Sequence, residues 1–152
     1  MKPPRAKVSM LIRRPASEAF AAFADPKKIT QFWLSRTSGL LAPGARVHWD
    51  FMVKGASDDV TVTAFEQDRR IAIQWSDGST TEFRFEPDAH GAVVEIESGG
   101  FGGDEDEVIA AALNAVEGFT IVLCDLKTLL EQNVSMALVR DKAALIEAKR
   151  SR

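Results

Sequence analysis

The segment from Asp104 to Asn133 contains no proline and a single glycine, and its apolar residues recur at the spacing of an amphipathic helix. These residues are Ile109, Leu113, Val116, Phe119, Leu123, Leu126 and Leu130. The first turn is acidic, which suits the positive end of the helix dipole, and Asn133 is of a residue type that ends helices. Such a long helix needs an extensive apolar surface against one of its faces, and this need constrains the fold of the remaining chain.

The chain before this helix has a period of two, which is typical of half-buried strands. Apolar residues alternate with polar ones at Val47 to Val53, Val60 to Ala64, Ile71 to Trp75, Thr81 to Phe85 and Val94 to Ile96. Turn residues separate these segments at intervals of about ten residues, which favours an antiparallel meander. Asp77-Gly78 is a strong hairpin signal because glycine readily adopts the positive φ that tight turns require. An additional apolar segment, Val8 to Arg13, predicts a first strand.

Two short helices are predicted between the first strand and the meander. Pro15 ends the strand and suits the start of a helix, and Ser17 is a candidate N-cap. Asp25-Pro26 breaks this helix, and Lys27 to Trp33 predicts a second one with an apolar face. The following segment, Ser35 to Gly44, carries turn residues and is predicted to be a loop.

Composition bounds the class of protein. The 152 residues are 45% apolar and 27% charged, so we expect a single domain over 1–152, with 134–152 as a C-terminal helical extension. The net charge of -3 argues against nucleic acid or an anionic membrane as a partner. The single cysteine, Cys124, cannot form an intrachain disulfide, which predicts a cytoplasmic location. The apolar run Val8 to Ile12 is too short for a signal peptide or a membrane span.

The order of elements and several local motifs resemble the START-like (SRPBCC) helix-grip superfamily, most closely the AHSA-type branch related to the 90-kDa heat-shock-protein ATPase activators. The motifs are Arg14 to Phe23, Phe32-Trp33, Pro43-Gly44, Ile71 to Trp75, and Gly118-Phe119 followed by spaced leucines. The resemblance covers nearly the whole chain. It implies an α+β fold in which a six- to seven-stranded curved antiparallel sheet wraps around the long C-terminal helix.

The resemblance also implies a cavity for a small molecule between the sheet and the long helix. The candidate lining residues are Trp33, Trp49, Phe51, Trp75, Phe83, Phe85, Gly118 and Phe119. Core packing is the alternative for any one of the aromatics, because a sheet needs such residues to cover a helix. Gly118 costs about 1 kcal/mol in a helix interior, so it either opens room for a ligand or lets a sheet aromatic approach the helix backbone.

We assign no catalytic residue from the sequence. Of the two histidines, His90 lies in a predicted turn, and His48 is expected on the sheet face opposite Trp49. In the reversed register, His48 and Asp50 would point into the cavity and could transfer a proton, as in polyketide cyclases of the superfamily. Arg84 is a further polar candidate for such chemistry, and the chain has no tyrosine.

The glycine-rich segment Gly99 to Gly103 precedes a helix, which is a position where anions can bind. The four carboxylates from Asp104 to Glu107 would repel a phosphate, and no Gly-Lys-Ser/Thr element follows. We therefore predict a flexible loop over the cavity mouth. Adjacent carboxylates on a helix point in different directions, so no metal site is predicted, and no cofactor motif is present.

The leading hypothesis is a module that binds a small apolar or amphipathic molecule, and the sequence favours binding over catalysis without deciding between them. The alternatives are a chaperone-interacting, ATPase-activator-like protein and an enzyme resembling polyketide cyclases or isomerases. The apolar residues between Met136 and Ile146 could build a homodimer contact or cover the protein's own sheet.

Overall fold

Seven strands form one curved antiparallel sheet in the computed structural model, which describes residues 2–151. The strands are β1 (Ala6–Ile12), β2 (Leu34–Thr37), β3 (Arg46–Phe51), β4 (Ser57–Glu66), β5 (Arg70–Trp75), β6 (Thr80–Asp88) and β7 (Gly91–Gly99). Strands β2 to β7 pair in sequence order, and β1 adds to the free side of β7. The predicted meander is therefore confirmed. Gly78, with a φ of 89°, occupies the predicted β5–β6 turn.

Four helices accompany the sheet. They are α1 (Ala16–Ala24), α2 (Pro26–Ile29), α3 (Glu105–Gln132) and α4 (Leu138–Arg150). Helix α3 packs mainly against β1, and also against α4 and β7, which confirms the predicted α+β helix-grip fold with a long C-terminal helix. Its start is fixed by a capping box, because the Asp104 carboxylate accepts the Glu107 backbone N–H at 2.9 Å. Its end is fixed by Asn133 in the left-handed conformation, with a φ of 56°, as predicted.

Strand β2 overlaps the start of the segment that was predicted to be a loop, Ser35 to Gly44. This strand is four residues long, lies at the edge of the sheet and pairs only with β3. Its register shifts between Leu34 and Arg36, so the alternation that would identify a strand is broken within its short length. The prediction of a loop was therefore wrong for residues 35–37, whereas residues 38–44 form bends and turns as predicted.

The two short helices exist, with different boundaries from those predicted. Helix α1 begins at Ala16 after Pro15, and no side chain caps it, so the assignment of Ser17 as the cap was wrong. Helix α2 begins at Pro26 because the Asp25 carboxylate accepts the Lys27 backbone N–H at 2.9 Å. It ends after one turn, and the residues up to Trp33 form turns.

A cluster of aromatic rings forms the centre of the core. The Phe23 ring of α1 lies 5.3 Å from Phe32, 4.9 Å from Phe83 and 5.8 Å from Phe85, measured between ring centroids. All four side chains are buried. Rings at these separations contribute beyond their buried area, so this cluster fixes α1 against β6.

Candidate functional site

An apolar cavity of about 350 Å³ lies between the sheet, the middle of α3 and α4. Its lining residues are Trp33, Phe51, Met52, Val53, Ala56, Trp75, Ala115, Gly118, Phe119, Ile121, Val122, Val139, Lys142, Ala143 and Ile146. The volume is within the range of small-molecule sites, which is about 300–1,000 Å³. Every lining residue except Lys142 is apolar or glycine.

The helix wall of the cavity is centred on Gly118. A Cβ atom built on Gly118 meets no other group within 4 Å, so no sheet aromatic presses against the helix backbone there. Of the two interpretations of this glycine, the structure therefore favours open space. Ala115, one turn earlier, also lines the cavity with a small side chain.

Trp33, in the turn before β2, and the strand residues Phe51 and Trp75 form the wall opposite α3. The Trp33 ring lies 6.4 Å from Phe51 and 5.8 Å from Phe119, and Phe51 lies 6.1 Å from Trp75. The indole N–H of Trp75 donates to the Thr81 hydroxyl at 2.8 Å, which fixes the orientation of that ring. The wall is therefore apolar and held in place from behind.

Five of the eight side chains expected at the cavity line it, and three lie behind the wall. Trp33, Phe51, Trp75, Gly118 and Phe119 are the five. Trp49 packs 5.1 Å from Trp33, Phe83 packs 5.9 Å from the same ring, and Phe85 packs against Phe20 at 5.4 Å. These three face the same side of the sheet as the lining residues, but they support the wall and do not form its surface.

Helix α4 closes the cavity with Val139, Lys142, Ala143 and Ile146, a contribution that sequence reasoning missed. The i, i+4, i+7 spacing of the three apolar residues was the available signal. The β3–β4 connection also lines the cavity. The glycine-rich segment Gly99 to Gly103 does not line this cavity, so the prediction of a loop over the mouth was wrong and α4 takes that place.

Polar contacts hold α4 in position. The Glu147 carboxylate accepts the Lys54 backbone N–H of the β3–β4 connection at 2.6 Å. The Lys142 ammonium lies 2.7 Å from the Glu117 carboxylate on α3, and this contact holds the pKa of Glu117 below its usual range. These contacts link helix α4 to both walls of the cavity, although Leu145 on its outer side and Met136, just before the helix, are exposed.

Replacing Ala143 with glutamate is expected to detach α4. Ala143 is only 4% exposed, and burying an unpaired carboxylate there would cost several kcal/mol. A helix of this length is marginal by itself, so residues 138–150 should lose their protection against hydrogen exchange while α3 keeps its own. The matched control is Ala144→Glu, at an exposed position, which should leave exchange unchanged. Equal exchange in the two variants would contradict this packing of α4.

The two histidines lie away from the cavity. His90 is exposed in the β6–β7 turn, and His48 is exposed on the outer face of β3, as expected from its alternation with Trp49. The His48 Nδ1 lies 2.8 Å from Asp59 Oδ1, and its Nε2 lies 3.4 Å from Asp50 Oδ1. The reversed register that would aim His48 and Asp50 into the cavity is therefore wrong.

The Asp59 hydrogen bond raises the pKa of His48 above its ordinary value of 6.5, with a smaller contribution from Asp50. A raised pKa favours the folded state below the pKa of the unfolded chain, and this contribution is lost as pH rises through the folded pKa. We therefore expect the imidazole resonances of His48 to titrate above pH 6.5 in NMR spectra. Asp59→Asn should lower the midpoint more than Asp50→Asn does. The opposite order would contradict the assignment of the dominant contact.

Arg84 also lies on the outer face. Its guanidinium contacts Glu82, Glu95 and Glu97, and the hydrogen bond to Glu97 raises its pKa. Arg70 contributes a second hydrogen bond to Glu82 at 2.7 Å. This network of ion pairs links β5, β6 and β7 on the face of the sheet opposite the cavity, so Arg84 is not a cavity residue.

Among the described residues, 2–151, no group of three or more His, Cys, Asp or Glu side chains is arranged to hold a metal ion.

Helix α3 is long and apolar enough to cross a membrane by length and composition alone. It is instead the core helix of the fold, with Leu123 and Leu126 fully buried. Ile109, Leu113 and Val116 form an exposed apolar stripe on its first half.

Comparison with protein-family models finds one described as "Activator of Hsp90 ATPase homolog 1-like protein", which matches residues 13–131. Helix α4 lies outside the matched residues. No curated protein sequence matches the chain.

Solved structures share the fold. Protein SSP2350 from Staphylococcus saprophyticus is 26% identical, with a TM-score of 0.77 over 88% of this chain and 96% of that one. The Aha1 dimer from Colwellia psychrerythraea is 16% identical, with a TM-score of 0.72 over 84% and 96%. DynU16, a protein of the dynemicin biosynthetic locus, is 19% identical, with a TM-score of 0.69 over 82% of this chain and 47% of that one.

Proposed function

The chain belongs to the family of Activator of Hsp90 ATPase homolog 1-like proteins, and we propose that it binds a small apolar or amphipathic molecule in the cavity beneath α4. The cavity itself carries this proposal. Its volume of about 350 Å³ is in the range of ligand sites, and its lining is apolar apart from Lys142. The open space at Gly118 supports the same function, since an alanine there would stabilise the helix by up to about 1 kcal/mol.

Binding is proposed in preference to catalysis because of the side chains available. Lys142 is the single titratable residue among those that line the cavity. General acid–base chemistry usually employs a histidine or a carboxyl group within hydrogen-bond reach of the substrate. The polar candidates His48, Asp50 and Arg84 all belong to networks on the outer face.

Titration with N-phenylnaphthylamine, an uncharged fluorophore that brightens in apolar surroundings, tests the proposal. We expect a saturable increase in fluorescence with a stoichiometry of one probe per chain, and competition by decanol. A control titration in urea that unfolds the protein should give no saturable signal. A linear, non-competed increase with the folded protein would contradict a defined site.

Native mass spectrometry of the purified protein, compared with the denatured sample, gives the class of a co-purifying ligand. The same spectrum counts subunits.

A homodimer is part of the proposal because the exposed apolar stripe Ile109, Leu113 and Val116 offers a contact surface. The structurally similar Colwellia psychrerythraea protein is described as a dimer. A dimer that persists in the Leu113→Glu variant would contradict the use of this stripe.

Two further parts of the proposal rest on other observations. A cytoplasmic location is supported by the free thiol of Cys124. A chaperone partner is supported by the family description alone, and a pull-down of the 90-kDa heat-shock ATPase with a measurement of its turnover tests it. Unchanged turnover at saturating concentrations of this protein would argue against that partner.

A further inference from the structure

One cation stands at the edge of the apolar cavity. Lys142 projects from α4 beside Ala143 and Ile146, and it is the one charged residue among those that line the cavity. Its side chain is 37% exposed, so the ammonium is at the rim and not at the apolar centre. An arrangement with an apolar interior and one charge at the rim matches a molecule with an apolar chain and one charged end.

The ammonium group of Lys142 forms an ion pair with a carboxylate of the protein. Glu117 Oε1 lies 2.7 Å from Lys142 Nζ, and the Glu117 side chain is 59% exposed. Glu117 directly precedes Gly118, so the pair spans the cavity mouth from α3 to α4. Ion pairs with this degree of exposure contribute at most about 1 kcal/mol, which means that another carboxylate can compete for Lys142 at little cost.

We propose that the ligand class is an amphipathic carboxylate, whose apolar chain fills the cavity and whose head group takes the place of Glu117 at Lys142. The inference rests on the proposed binding function and adds the chemistry of the head group. An ammonium head group would be repelled by Lys142, and an uncharged hydroxyl would gain no charge-assisted hydrogen bond. The carboxylate of Glu147, on α4, accepts the Lys54 backbone N–H and so does not compete for Lys142.

The size of the cavity sets the length of the chain. A methylene group is about as large as the 30 Å³ that one water occupies in the liquid, so 350 Å³ accommodates about ten such groups. Decanoate, decanol and decylammonium therefore form a matched series with the same chain and an anionic, a neutral and a cationic head group. Calorimetric titration of the intact protein at pH 7.5 compares their affinities.

The Glu117→Gln variant, which lacks the competing carboxylate, should bind decanoate about fivefold more tightly than decanol, which corresponds to about 1 kcal/mol. The native protein should show the same preference to a smaller extent because Glu117 competes for Lys142, and decylammonium should bind most weakly. Lys142→Met should remove the preference for decanoate and retain binding of decanol. The matched control is Arg140→Met, which removes an exposed cation of the same helix that does not line the cavity, and the preference should persist.

Glu117→Gln gives the most discriminating result. It removes the competing carboxylate, so decanoate should bind more tightly, whereas loss of Lys142 weakens the binding of decanoate. If the ion pair served only to hold α4 in place, both variants would weaken the binding of decanol and decanoate alike, and that outcome would overturn the inference. Equal affinity of the Glu117→Gln variant for decanoate and decanol would also overturn it and leave the proposed function intact. Failure of all three compounds to bind would instead contradict the proposed function.

Discussion

Replacing Gly118 with leucine is expected to weaken binding of N-phenylnaphthylamine by about tenfold or more without destabilising the protein. A Cβ at this position meets no group within 4 Å, so the backbone can accept a side chain. The four added carbons occupy about 120 Å³, roughly a third of the cavity volume of 350 Å³, and a ligand would have to displace them. Removing a glycine from the interior of α3 should raise the free energy of unfolding by up to about 1 kcal/mol.

The matched control is Ala110→Leu, which places the same side chain at an exposed position of α3 outside the cavity lining. Probe affinity should not change in this variant. Fluorescence titration and urea unfolding of both variants separate a filled cavity from a damaged fold. Undiminished probe affinity in a folded Gly118→Leu variant would place the binding site elsewhere.

Replacing Phe83 with alanine is expected to have the largest effect on stability, a loss of about 3 to 5 kcal/mol in the free energy of unfolding. The Phe83 side chain is fully buried, and its ring packs against Phe23 at 4.9 Å, Trp33 at 5.9 Å and Phe119 at 6.4 Å. Its removal leaves a void where β6, α1 and α3 meet. Urea unfolding followed by circular dichroism measures the loss.

Phe83→Leu serves as the conservative control and should cost much less, because most of the volume remains filled. A loss of less than about 1 kcal/mol in Phe83→Ala would show that this ring does not support the cavity wall. This result bears on function as well, since Trp33 and Phe119 are the lining residues that Phe83 supports from behind.

The long-range order of the fold could be predicted from the sequence because the chain uses clear periodic patterns. Alternation identified β3 to β7, and the proline-free amphipathic segment identified α3 together with its C-cap residue Asn133. Strand β2 could not be predicted, because four residues with a register shift carry no alternation. The start of α2 at Pro26 depends on a local contact of Asp25 that propensity alone does not reveal.

The cavity could be predicted only in part. Alternation shows which face of the sheet a side chain is on, but it does not show whether that side chain reaches the cavity surface or lies behind it. Trp49 and Trp75 lie on the same side of the sheet with ring centroids 5.7 Å apart, yet only Trp75 lines the cavity. The curvature of the sheet and the position of α4 decide between lining and support. The packing of α4 depends on tertiary contacts such as Glu147 with Lys54, which have no signature in a single sequence.

The most direct test of a ligand site beneath α4 is a titration of ¹⁵N-labelled protein with decanol, followed in two-dimensional NMR spectra. We expect saturable shifts of the indole N–H groups of Trp33 and Trp75, of the Gly118 amide, and of amides from 139 to 146 in α4. The outer-face residues around His48 should be unaffected. Shifts centred on the exposed stripe of Ile109, Leu113 and Val116, or an absence of saturable shifts, would contradict a ligand site beneath α4.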